Sequence, residues 1–130
     1  MKCSPNHTPK KSNPLNTVKV TNITRFISRK ESNLSTQDEF CCSIPRNISL
    51  RQLVTFLVIN ESNTNVAEVL LELSPDGKLW VEDNSHIYVL KPQEKLLLVP
   101  EHFLRYARIK FRSHIAGHPV QLTIWYQGQG

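Results

Sequence analysis

The 130 residues carry 16 Lys and Arg against 11 Asp and Glu, with 8 Pro, 4 Gly and a single Met. That length suits one domain with an appendage and excludes a multidomain enzyme, because single domains cluster near ~100–150 residues. One Met, four Gly and eight Pro are poor material for a helix bundle, and the wealth of Val, Ile, Leu, Thr and aromatics points to an all-β chain. The charge is uneven: residues 1–47 hold eight basic and three acidic side chains, whereas residues 48–130 hold eight of each. The net charge of +5 therefore sits in the first third. A basic arm on a neutral domain is an interaction tail in character, and no nucleic acid partner is expected.

In chain order, residues 1–15 are polar and proline-rich, a disordered composition without the apolar stretch of a signal peptide. The chain is thus expected to be made in the cytoplasm, and no segment is apolar enough to span a membrane. Residues 16–27 show a strand-like rhythm in Val18, Val20, Ile23, Phe26 and Ile27, and residues 28–37 read as a polar linker. Phe40-Cys41-Cys42 is a short apolar patch ended at Pro45.

From residue 48 onward the texture is of short strands with turn punctuation. Strands are expected over 51–60, 66–73, 78–82, 86–90, 94–99, 105–112 and 119–127, with Ser74-Pro75-Asp76-Gly77 as a tight turn and residues 100–103 as one helical turn. Alternation points Ala67, Val69, Leu71 and Leu73 inward, and likewise Ala107, Ile109 and Phe111, while Arg108, Lys110 and Arg112 face water. About seven such strands describe an antiparallel β-sandwich, jelly-roll-like, over residues 46–130, behind a flexible connector arm over residues 1–45. The arm's strand, residues 16–27, can complete its own sheet or a neighbour's.

Chemistry has few candidates. Neighbouring Cα atoms lie ~3.8 Å apart, below the ~4.4–6.8 Å a disulfide needs, so Cys41 and Cys42 must seek different partners. With Cys3 alone remaining, at least one thiol stays free or pairs with another molecule, which makes Cys3, Cys41 and Cys42 candidates for intermolecular disulfides. His114 and His118 fall in a hairpin loop and share no helix face, and neither Asp76 nor Glu82-Asp83-Asn84 has calcium-loop spacing. No metal and no cofactor is expected. No nucleophile has an evident base, so the chain reads as a non-enzyme. Trp80, Trp125 and Tyr126 are the candidates for stacking on a glycan in the alternative reading, a non-catalytic binding module.

The succession Phe56…Val58-Ile59-Asn60, Val69…Leu71-Glu72-Leu73-Ser74-Pro75-Asp76-Gly77…Trp80, Leu98-Val99-Pro100…Phe103…Tyr106-Ala107-Arg108 and Leu122-Thr123-Ile124-Trp125-Tyr126-Gln127-Gly128-Gln129 resembles an uncharacterised β-sandwich domain family of spore-forming Gram-positive bacteria. In outline the arm is also similar to endospore appendage subunits, pilus-like fibre proteins with a hydrophobic residue before a Cys-Cys pair, here Phe40-Cys41-Cys42. This sequence departs from that pattern in having its pair some forty residues in and no cysteine in the sandwich. The resemblance implies a structural subunit made in the mother cell and displayed on a spore surface or extracellular appendage. Its partners would be further copies of itself and other fibre proteins. Assembly would proceed by insertion of Val18, Val20, Ile23 and Phe26 into a neighbouring sandwich.

Overall fold

The computed structural model describes residues 25–130, so Cys3, Val18, Val20 and Ile23 lie outside the described residues. The described chain is an all-β antiparallel sandwich. Its strands are β1 (Phe26–Ser35), β2 (Cys41–Cys42), β3 (Arg46–Asn47), β4 (Leu53–Asn60), β5 (Ala67–Ser74), β6 (Val81–Glu82), β7 (Tyr88–Leu90), β8 (Lys95–Leu98), β9 (Tyr106–Ser113) and β10 (Gln121–Gln129). One sheet runs β1-β10-β4-β8; the other runs β2-β9-β5-β6, with β3 also on β9 and β7 also on β5. Counting β2 with β3 and β6 with β7 as interrupted single strands gives the eight-stranded order of a double-sheet jelly roll.

Period-two alternation builds the core from both sheets. Val54, Phe56 and Val58 of β4 and Leu122, Ile124 and Tyr126 of β10 meet Ala67, Val69, Leu71 and Leu73 of β5 and Ala107, Ile109 and Phe111 of β9. Asn60 is fully buried, and its amide donates to the carbonyls of Asn65 and Leu90 while its oxygen accepts the Ser62 N–H. The turn after β5 closes as its residues dictate: Ser74 Oγ accepts the Gly77 N–H at 2.7 Å, Asp76 accepts from Lys78 and Leu79, and Gly77 sits at φ 82°.

Three expectations change. Residues 28–37 are not linker: β1 pairs with β10 from Phe26↔Gln129 to Ser35↔Gln121. A bulge between Glu31 and Leu34, with Asn33 at φ 58°, switches which residues face inward and erases the sequence alternation. Residues 100–103 make no helical turn, because the buried Asp83 carboxylate accepts the N–H groups of Glu101 at 2.6 Å and His102 at 3.0 Å and holds the segment as a bend. Arg108 does not face water: it is 6% exposed, bonded to Glu72 at 2.9 Å, with its guanidinium 3.8 Å from the Trp80 ring centroid. Phe40 covers Lys110 and Arg112 from the other side. The outer face of the second sheet is thereby clamped by two aromatic side chains.

At the open flank between β1 and β3, Glu31 bridges the sheets. Its carboxylate accepts the Ile44 N–H at 3.2 Å and lies 3.5 Å from Arg46, whose guanidinium sits over the Tyr126 ring. Burial raises the Glu31 pKa above the usual carboxylate value despite the Ile44 bond and Arg46.

Because the Glu72 and Arg108 side chains are only 6% and 7% exposed, removing one strands the other. Glu72→Ala should lower the unfolding free energy by about 3–5 kcal/mol in urea titration, and a paired Glu72→Leu, Arg108→Met replacement should recover most of it. A loss under about 1 kcal/mol in the single variant would refute the buried pair.

Candidate functional site

The two outer faces differ. Where the β5–β9 face is covered, the β10-β4-β8 face presents a row that crosses all four strands, Lys30↔Trp125↔Leu57↔Leu97. Leu97 is 68% exposed, and Thr55, Leu57, Leu97, Trp125 and Gln127 line a shallow hollow of about 240 Å³. The Lys30 ammonium lies 5.1 Å from the Trp125 ring centroid. A second hollow of about 300 Å³ adjoins it through Thr55 and is lined by Leu53, Val99 and Phe103 among others, all three exposed. Together these form an apolar strip along β4 and β8 of a kind that marks contact surfaces.

β8 is also a sheet edge. Asn60 donates to the Glu94 carbonyl at 3.0 Å, in line with the pairs Ile59↔Lys95 and Leu57↔Leu97. Antiparallel pairs alternate between hydrogen-bonded and non-hydrogen-bonded, so Lys95 and Leu97 turn their N–H and C=O groups away from β4. No described segment pairs with that edge. The site therefore offers main-chain donors and acceptors beside apolar side chains, which is what an added strand requires.

The aromatic candidates are not brought together. Tyr126 is 3% exposed and packs on Phe56 in the core, Trp80 lies on Arg108 outside the second sheet, and Trp125 alone belongs to the strip. Of the arm residues, Phe26 opens β1 and is exposed. Cys41 is a free, half-buried thiol on edge strand β2, and Cys42 is disulfide-bonded. Among the described residues no group of three or more His, Cys, Asp and Glu is placed to hold a metal ion, and no helix is long and apolar enough to cross a membrane. Sequence reasoning missed Leu57, Leu97 and Val99, although the unbroken run Leu96-Leu97-Leu98-Val99 puts apolar side chains on both faces of β8.

The fold and its open edge define a small jelly-roll sandwich with a candidate strand-docking face. The chain belongs to the family described as Domain of unknown function (DUF6385), matched over residues 47–130. No curated protein matches it in sequence. Its fold is similar to that of PirA (11% identity, TM-score 0.52, covering 85% of this chain and 99% of that one). It is also similar to a subunit of the Bacillus endospore appendages, described as disulfide-linked pili (9% identity, TM-score 0.53, 88% and 97% covered). A third likeness is to the PBSX exported protein XepA, at 11% identity and TM-score 0.52, over 88% of this chain and 40% of that one. At these identities the likeness is one of fold.

The bend that ends the strip carries a titratable contact between His102 and Asp83. His102 donates or accepts through Nδ1 at 3.0 Å from Asp83, and that bond raises its pKa above 6.5. A raised folded pKa contributes stability that is full below the unfolded value and is lost as pH rises through the folded value. His102→Gln should therefore cost more thermal stability at pH 5.5 than at pH 8.5; an equal loss at both would rule out the ion pair.

Proposed function

We propose that this chain is a structural, non-catalytic subunit that self-assembles, in the manner of a spore- or cell-surface fibre. The N-terminal connector of one copy adds to the β8 edge of the next, and Val18, Val20 and Ile23 meet the strip of Leu57, Leu97 and Val99. The observation that carries this reading is the open β8 edge beside exposed apolar side chains in a fold shared with a pilus subunit. Each apolar side chain buried supplies about 1.5–3 kcal/mol before ordering costs. The structure keeps Phe26 and Ile27 in β1, so the donated segment is the part of residues 16–27 that precedes Arg25. A covalent lock from the described sandwich would fall to Cys41.

Light scattering and negative-stain microscopy test this on the full chain, on a chain beginning at Arg25, and on Leu97→Lys in the full chain. Polymers are expected from the full chain alone, with Leu97→Lys folded but monomeric or at least tenfold weaker in association. A monomeric full chain, or polymers that survive both changes, would overturn it.

A further inference from the structure

The flank between β1 and β3 holds a cluster that neither the core nor the docking face uses. Tyr126 points its hydroxyl there, fully buried, with the Arg51 side chain approaching its oxygen as a donor and no acceptor for its proton among the described residues. A buried O–H without an acceptor is costly, and such groups are rare in native structures.

Three guanidinium groups converge on it. Arg29 is the register partner of Tyr126 and Arg46 lies over its ring at 5.6 Å. Arg51 runs its aliphatic stem past Gly128: a Cβ there would lie 3.0 Å from the Tyr126 hydroxyl and 3.2 Å from Arg51 Cδ, so glycine makes the space in which the two meet. Burial raises the Tyr126 pKa, against the charge and hydrogen bond of Arg51 and the charges of Arg46 and Arg29, and Arg29 adds to the burial that lowers Arg46.

The counter-charge is short. Both oxygens of Glu31 are turned to the Ile44 N–H, with one also against Arg46. Arg29 bonds only the Ser28 carbonyl, and neither Arg29 nor Arg51 has a carboxylate partner among the described residues. Arginine can only donate, so none of the three satisfies the phenol proton. An acceptor bearing two negative charges would satisfy the hydroxyl and balance the two unpaired guanidiniums at once, and arginine forks match the oxygen geometry of such anions.

We infer that the β1–β3 flank binds a small inorganic dianion, phosphate or sulfate, held by Arg29, Arg46, Arg51 and the Tyr126 hydroxyl. Arg29 is exposed and Arg51 half-buried, so the ion approaches from solvent and Arg51 moves aside to admit it to the hydroxyl.

Thermal unfolding of the full chain in phosphate, sulfate and chloride at matched ionic strength tests the site, with isothermal titration of phosphate as the direct readout. Both dianions should raise the midpoint saturably, on the order of 5 °C above chloride. Arg29→Gln and Arg51→Gln should each abolish the difference and Tyr126→Phe should reduce it, while Lys91→Gln, just after β7 on the far side of the second sheet, should leave it intact. Equal midpoints in all three salts would overturn the proposal. So would a dianion effect that persists in both arginine variants, or a Tyr126→Phe chain that is more stable in chloride with its phosphate shift unchanged.

Discussion

Strand β1 offers its sheet little apolar surface: Ile27 and Leu34 pack on the core, and the rest of FISRKESNLS is polar or exposed. What holds it is the backbone ladder to β10, which runs the length of the strand on either side of one bulge. The open side of the sandwich depends on that ladder. It sets Glu31 within reach of Ile44 and Arg46, which ties the first sheet to the β2–β3 segment of the second. It also continues into the Thr36 hydroxyl, which accepts the Val120 N–H and bonds Ser113, joining the sheets again at the far end. A strand of weak side-chain character thus acts through its position, because β10 without it would expose a row of unpaired main-chain groups.

The two outer faces solve burial in opposite ways. On β5 and β9 the charges lie against Trp80 and Phe40 and are shared among two carboxylates, Arg108 and Lys110 on Glu72 and Arg112 on Glu68, with the His114 ring hydrogen-bonded to Glu68 as well. That face is satisfied and closed. On β4, β8 and β10 the row of Trp125, Leu57 and Leu97 has the Lys30 ammonium beside Trp125, and among the described residues nothing covers Leu97 on β8. The contrast singles out one face, because apolar side chains left beside an unpaired edge are avoided unless something binds there.

Much of the architecture was legible wherever alternation ran unbroken. β4, β5, β9 and β10 lie close to their expected ranges, and the inward residues of β5 and β9 are the expected ones. β1 was hidden because its bulge at Asn33 changes the parity of facing residues mid-strand, leaving no single period to read. Arg108 looked solvent-facing because alternation reports which side of a sheet a residue occupies and is silent on what folds back over that side. The separation of Trp80, Trp125 and Tyr126 follows from the same rule, since Trp125 and Tyr126 are consecutive in a strand and must point to opposite faces. The apolar strip was written in Leu96-Leu97-Leu98-Val99, but a continuous run reads equally well as a strand buried on both sides.

The antiparallel ladder between β1 and β10 also fixes how the sandwich bears load. Its first rung, Phe26↔Gln129, joins the entry to β1 with the exit from β10. Tension applied between those two points peels the ladder open one rung at a time, starting from that pair. Tension applied at Arg25 along the axis of β1, against a sheet gripped elsewhere, loads every rung together in shear. The same hydrogen bonds are therefore mechanically weak in one direction and strong in the other.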